Sequence, residues 1–170
     1  MQVFKFFKYV ILVNLLAFFF ILTSFKPFAD DAGKFKGMWK LDKYESLISG
    51  NWLTDSAKLG YSGFILYDGE NKMSVHLMPA GYSQFHPSHS DSLSADDWKE
   101  VADHYHSSFV YFADYKVQGR IVEHTIQSCT EAVNIGKTLK REYEFKGDTL
   151  LLIPVNSEGK KSRLRWIKLP

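Results

Sequence analysis

Residues 63–78 constrain the fold of this chain most strongly, because they predict a β-hairpin with two short apolar arms. The loop between the arms reads Asp-Gly-Glu-Asn, and its glycine and asparagine tolerate the positive φ angles that tight hairpin loops need. Aromatic and aliphatic residues, which suit strands, occupy both arms at positions 64–67 and 72–78. A chain organised around such a hairpin is expected to be rich in antiparallel strands.

The inward face of this hairpin is left open by its sequence. On the first arm, either the even-numbered or the odd-numbered residues face the core. On the second arm, Met73, Val75 and Leu77 form the natural inward set, which places His76 outside. A shift of one residue would reverse this assignment and turn His76 inward.

The alternation of apolar and polar residues recurs along the rest of the chain and predicts eight strands. Residues 47–61 show no sustained period and predict a long connection. Because most neighbouring strands are joined by tight turns, the expected fold is all-β, an eight-stranded antiparallel up-and-down β-barrel. The predicted strands cover residues 38–45, 64–67, 72–78, 110–118, 120–128, 138–146, 149–154 and 160–169.

One amphipathic α-helix is predicted after the third strand, over residues 95–108. Ser94 is a suitable N-cap with acidic residues after it, and Trp98, Val101 and Tyr105 recur at helical spacing. We expect this apolar stripe to lie on the sheet or on the mouth of the barrel.

Residues 1–29 have the layout of a signal peptide, with Lys5 and Lys8 ahead of an uncharged stretch and Ala29 as a plausible cleavage position. The alternative is an uncleaved anchor over residues 3–25, which approach the length of a membrane span. We therefore predict export, to the bacterial periplasm or the medium, and a single domain over residues 30–170.

Charge and cysteine content exclude several classes of protein. Loss of the leader removes three lysines, so the basic residues fall from 21 to 18 against 19 acidic ones. This balance does not support binding to nucleic acid, or to a membrane other than through the N-terminal segment. Cys129 is the only cysteine, so no intrachain disulfide can form.

A series of short blocks follows one order along the chain: Gly-Met-Trp at positions 37–39, then GFILY, KMSV, YFADY, VEH, KREYEF and GDTL, and a terminal Arg-Trp. In order and spacing, these blocks resemble the bacterial lipocalin-like domain family over residues 35–169. The resemblance implies a calycin-type barrel, in which Gly37 and Trp39 close one end with Arg163 or Arg165 as a brace. It does not imply an activity.

Strand parity selects a set of candidate ligand-binding residues. Four charged residues share one face of residues 138–146, which forces Arg141 onto the opposite, apolar face. Arg141 and Tyr143 also resemble the Arg-x-Tyr pair with which fatty-acid-binding proteins hold a carboxylate. Inward-facing side chains of this kind predict a pocket for a small hydrophobic, anionic molecule, with Arg141 as its anchor. The candidate ligand-binding residues are Arg141, Tyr143, His124, Tyr111 and Tyr115.

Other interpretations stay open. Each candidate could be structural, and His124 with a tyrosine could act as an acid/base pair in an isomerase or cyclase. The loop at residues 79–92 and the helix could instead bind a protein partner. His86 and His89 have a nonspecific spacing, so we expect no metal. We also expect no cofactor and no catalytic residue. The expected partner is a small hydrophobic or amphipathic molecule.

Overall fold

The computed structural model describes residues 31–55, 59–82, 93–155 and 161–170. The predicted leader and the histidines His86 and His89 lie outside the described residues.

The described chain is built from nine strands, two α-helices and one short 3₁₀ turn at Ala132–Asn134. The elements are α1 (Ala32–Phe35), β1 (Gly37–Ile48), β2 (Asn51–Thr54), β3 (Ser62–Tyr67), β4 (Lys72–Met78), α2 (Ala95–Ser107), β5 (Phe109–Gln118), β6 (Ile121–Cys129), β7 (Thr138–Lys146), β8 (Thr149–Pro154) and β9 (Ser162–Lys168).

Eight of these strands form a closed antiparallel barrel. Each barrel strand pairs with the next one along the chain, in the order β1-β3-β4-β5-β6-β7-β8-β9, and β9 pairs back with β1. The closing pairs run from Trp39 with Lys168 to Ser46 with Ser162. The predicted eight-stranded up-and-down barrel, with one helix inserted after its third strand, is confirmed.

The predicted connection over residues 47–61 is partly wrong, because β1 continues to Ile48 and then turns into β2. The turn uses Ser49 and Gly50, whose φ angles of 49° and 82° lie in the left-handed region. β2 then pairs with the last residues of β1, beginning with Ile48 opposite Asn51. The sequence alternation is hidden here because β2 is short and only Trp52 in it is half-buried.

The two ends of the barrel differ. The tight turns β3–β4, β5–β6 and β7–β8 lie with α1 at one end, which we call the closed end. The other end, which we call the open end, is where β4, β6 and β8 finish and where β5, β7 and β9 begin. The core runs between them inside the barrel.

The central hairpin, β3 and β4, takes the odd-numbered face inward. Ile65 and Tyr67 are buried, whereas Phe64 and Leu66 are more than 40% exposed. On β4 the natural inward set is buried, as expected, and His76 is exposed. The alternative register, with His76 inside, does not occur.

Trp39 closes one end of the barrel, as expected, but its predicted brace is wrong. Its indole Nε1 donates to the carbonyl oxygen of Phe35 at 2.7 Å, and Lys168 Nζ lies 5.1 Å from its ring centroid. Arg163 instead pairs with the buried Glu45. Lys168 takes the bracing position because it lies directly opposite Trp39 in the β1–β9 register.

Arg165 also lies away from Trp39, since it forms an ion pair with Asp42 at 2.6 Å. Arg163 lies 4.4 Å from the ring centroid of Trp52, so it fastens β2 to the barrel. Both arginines therefore form their ion pairs on β1 away from the closed end, where Trp39 lies.

Helix α2 begins at the predicted cap, where Ser94 and Asp97 form a reciprocal capping box. We expected the sheet or the barrel mouth to cover its apolar stripe. This expectation is wrong, since no residue of α2 is buried. Trp98 is 54% and Tyr105 61% exposed. The helical period predicted the stripe, but a period carries no information about what lies opposite it.

Gly63 lies where the backbone of β4 comes close to that of β3. A Cβ atom at this position would lie 2.3 Å from the carbonyl oxygen of His76, which is backbone of the paired strand. We expect Gly63→Ala to lower the free energy of unfolding by about 1–3 kcal/mol, because two hydrogen-bonded strands must separate to admit the methyl group. Urea denaturation measures the change.

The matched control is Gly33→Ala in α1, where an added Cβ meets no atom within 4 Å. We expect this variant to unfold at the wild-type urea concentration or slightly above it. An unchanged midpoint for Gly63→Ala would contradict the close approach of the two strands.

Candidate functional site

A polar cluster of four side chains lies inside the barrel, made of Tyr67, Tyr111, His124 and Arg141. His124 is at its centre and is fully buried. The Tyr67 hydroxyl lies 2.9 Å from His124 Nε2, and the Tyr111 hydroxyl lies 2.8 Å from Nδ1. Arg141 Nη1 lies 3.2 Å from the same Nδ1 atom. Strands β3, β5, β6 and β7 each supply one member.

Strand alternation brings these four residues together. For three of them, Tyr111, His124 and Arg141, the sequence predicted the inward direction. On β6, His124 shares the inward face with Val122 and Ile126, both buried. On β7, the flanking residues Lys140 and Glu142 are exposed, so Arg141 points inward. The predicted parity of both strands is confirmed.

The guanidinium group determines how the imidazole is protonated. A guanidinium has only N–H donors, so His124 Nδ1 must accept, and the proton of the neutral ring lies on Nε2. Nε2–H then donates to the Tyr67 hydroxyl oxygen. The Tyr111 hydroxyl donates to Nδ1, whose single lone pair it shares with Arg141.

The cluster carries one positive charge, which lies on Arg141. Burial, and secondly the guanidinium, hold the pKa of His124 well below its ordinary value of 6.5. Burial raises the pKa of Tyr67 and Tyr111 above 10.0, although Arg141 opposes the rise for both. At neutral pH the imidazole and both phenols are therefore uncharged.

Arg141 has no anionic partner among the residues that the structure describes. Its side chain contacts His124 Nδ1, and no described carboxylate forms an ion pair with it. The side chain is half-buried, so the cation lies in an interior that is otherwise apolar or neutral. Such a charge is costly to bury without a counter-charge.

A cavity of about 160 Å³ lies beside the cluster, toward the open end. Arg141 and Tyr111 line it, together with Tyr44, and His124 does not. Its other walls are apolar and come from β3, β4, β5, β8 and β9. The apolar lining residues are Ile65, Val75, Leu77, Phe109, Leu152, Pro154, Leu164 and Trp166, of which Trp166 also carries an indole N–H.

The predicted site residues Tyr115 and Tyr143 do not line this cavity. Tyr143 donates its hydroxyl to the carbonyl oxygen of Gly119 at 2.9 Å, which holds it at the closed end. Tyr115 packs its ring 4.9 Å from that of Tyr67. Both tyrosines belong to an aromatic layer that fills the closed half of the barrel.

Phe35 organises this aromatic layer, made of Phe35, Trp39, Tyr115, Tyr143 and Phe145. The ring centroids of Tyr143, Phe145 and Tyr67 lie 4.9–5.0 Å from that of Phe35, in edge-to-face geometry. The layer leaves the cavity only the open half of the interior.

Two further interior residues were missing from the predicted site. Tyr67 joins the cluster because the odd-numbered face of β3 points inward, which the hairpin sequence left open. Trp166 lines the cavity from β9. Its position in the terminal Arg-Trp block was the only sequence signal that could have pointed to it as a site residue. The two residues matter because each adds a polar group to the interior.

The remaining titratable groups form no comparable site within the described residues. No group of three or more potential metal ligands occurs among them. His104 lies 3.6 Å from Glu100 and packs against Tyr82. Cys129 is a half-buried free thiol. In the same part of the chain, no helix is both long and apolar enough to cross a membrane.

A closed, eight-stranded, up-and-down antiparallel barrel is the architecture of calycin-type barrels. The chain belongs to the lipocalin-like domain family, whose model matches residues 36–169. No curated protein matches the sequence significantly.

Solved structures with a similar course of the chain are all distant in sequence. A redesigned β-barrel is 8% identical over 82% of this chain and 95% of its own, with a TM-score of 0.40. A de novo fluorescence-activating barrel is 10% identical, over 82% and 98%, with a TM-score of 0.38. The fluorescent protein UnaG is 13% identical, over 80% and 98%, also with 0.38. Likeness at this level carries no conclusion about a ligand.

The buried imidazole makes stability depend on pH in a defined window. In the unfolded chain His124 titrates at its ordinary pKa of 6.5, whereas the folded pKa is lower. Between these two values the unfolded state binds a proton that the folded state does not. The free energy of unfolding should therefore fall as the pH drops below 6.5, by up to about 1.4 kcal/mol per pH unit.

Urea denaturation between pH 7.5 and 5 measures this dependence. We expect His124→Gln to flatten the slope of the free energy of unfolding against pH. His76→Gln, at an exposed position, should preserve the slope. NMR titration of wild-type His124 gives an independent measurement, in which the ring should stay neutral at pH 6. A normal titration near 6.5 would contradict the buried, neutral imidazole.

Proposed function

We propose that this barrel binds a small hydrophobic carboxylate in its interior without catalysis, with Arg141 as the anchor. The observation that supports the proposal is the half-buried guanidinium of Arg141, which borders an apolar cavity and has no described acidic partner. A ligand carboxylate entering the cavity would supply the missing negative charge. The affinity of the site would then come chiefly from one charge-assisted contact.

A singly charged carboxylate suits this site better than a larger anion. The planar fork of arginine matches the two oxygens of a carboxylate, and one cation balances one negative charge. Among the described lining residues, Arg141 is the only cation. A phosphate or dicarboxylate would bring a second negative charge into an apolar cavity, which opposes binding.

His124 acts in this proposal as a positioning residue. Its Nδ1 atom contacts both Arg141 and Tyr111, the two polar groups that border the cavity beside it. It does not border the cavity itself, so it makes no direct contact with a ligand there. For this reason we favour binding over the acid/base alternative.

The hydrophobic body of the ligand would rest on the apolar walls. Leu77, Phe109 and Leu164 line the cavity near the open end. Burial of an apolar group there contributes affinity in proportion to the area removed from water.

Arg141→Met should weaken carboxylate binding by about tenfold to hundredfold, because it removes a charge-assisted hydrogen-bond donor and keeps much of the side-chain volume. Calorimetry with a matched pair, cyclohexanecarboxylate and its neutral amide, measures the effect of charge. Wild-type protein should prefer the acid, and Arg141→Met should bind both alike. A panel of fatty and aromatic acids extends the test.

Lys140→Met is the control, since Lys140 is the neighbouring cation on the outer face of β7 and pairs with Glu123. It should bind the acid as wild type does. Arg141→Met should also melt at or above the wild-type temperature, since the variant loses an unpaired interior charge. Equal acid affinity in Arg141→Met and wild type would refute the anchor.

We also propose that the barrel is exported, on the basis of the charge and hydropathy pattern of residues 1–29. Intact-mass analysis of protein from a bacterial host should show a chain that begins at Asp30. Recovery of the full-length chain from the membrane fraction would indicate the uncleaved anchor instead.

A further inference from the structure

Trp166 on β9 borders the cavity and carries a polar atom that the proposed carboxylate site does not use. Its side chain is 1% exposed. Its indole Nε1 is buried and has no hydrogen-bond partner within residues 31–55, 59–82, 93–155 and 161–170.

A buried indole N–H without a partner is uncommon. Buried tryptophans normally donate to an oxygen, because an unmade hydrogen bond leaves the desolvation cost of the donor uncompensated. Trp39 in the same barrel follows this rule, with its Nε1 bonded to the carbonyl oxygen of Phe35 at 2.7 Å. The difference is that Trp166 lines the cavity and Trp39 does not.

Two of the hydrogen-bonding groups of the cavity are donors only, whereas the hydroxyl of Tyr44 can donate or accept. Arg141 and Trp166 can only donate, and the Tyr111 hydroxyl hydrogen is directed at His124 Nδ1. A ligand that satisfies the site must bring acceptors for two separate donors. A plain hydrocarbon acid offers acceptors only at its carboxylate.

We propose that the ligand is a compact hydrophobic carboxylate with a second hydrogen-bond acceptor, such as a carbonyl oxygen, which binds Trp166 Nε1–H. The inference rests on the proposed function, since it assumes that Arg141 holds the carboxylate. Trp166 then determines specificity among acids of similar size, because acids without the second acceptor leave its N–H unpaired.

The size of the cavity limits the ligand further. Its volume of about 160 Å³ is close to the roughly 150 Å³ of an engineered protein cavity that accommodates benzene. Pockets for drug-sized ligands are larger, about 300–1,000 Å³. The body of the ligand is therefore one ring or a short branched chain, and a long acyl chain exceeds the space.

Three acids that share one carbon skeleton test the second contact. The probes are cyclohexanecarboxylate and its 3-oxo and 4-oxo derivatives, which place the added carbonyl at two positions on the ring. Calorimetry on wild-type protein should show tighter binding of at least one keto acid, by about fivefold to tenfold. Trp166→Phe removes the N–H, keeps an aromatic side chain and should abolish the preference.

NMR of ¹⁵N-tryptophan-labelled wild-type protein gives a direct readout that does not depend on the variant. The indole proton of Trp166, one of four tryptophans, should move downfield with the preferred keto acid and not with the plain acid. This measurement decides the proposal if Trp166→Phe does not fold.

The outcomes separate the two proposals. If no acid binds, or if Arg141→Met binds the acids as wild type does, the proposed function fails. If the acids bind through Arg141 but wild type shows no preference, or Trp166→Phe keeps it, only the Trp166 inference is overturned. A keto-acid preference that needs both residues supports both.

Discussion

The pairing of β9 with β1 is the constraint on which the interior depends. It closes the sheet, so the backbone of the eight barrel strands is paired on both sides and every second side chain faces a small enclosed space. Polar groups placed there must find partners among one another. Tyr67, Tyr111 and His124 do so. The one charge in this cluster, on Arg141, contacts a neutral nitrogen and no carboxylate of the described part of the chain.

The division of the interior into two halves follows from where the aromatic side chains lie. Phe35 enters from α1 and fills the closed half together with the rings that surround it. The open half keeps a cavity, whose walls are mostly aliphatic. The polar cluster lies between them and forms part of the floor of the cavity, and this floor determines what the space can hold.

Strand parity accounts for most of what the sequence could predict. On β7, charged residues occupy one face so regularly that the inward direction of Arg141 follows from the alternation. On β3 both faces are apolar, and Phe64 and Leu66 stay exposed, so parity could not identify Tyr67 as an interior residue. Parity also cannot give the height of a side chain along the barrel, which separates Tyr143 from the cavity. Whether Trp166 Nε1 has a partner depends on neighbours from other strands.

Tyr67 links the two halves, because its ring packs edge-on against Phe35 while its hydroxyl bonds His124. The imidazole, and through it Tyr111 and Arg141, is thereby held by a ring that cannot shift without disturbing the packing below it. The floor of the cavity is thus preorganised. Binding to such a floor loses little conformational entropy, which favours small ligands that have few contacts to offer.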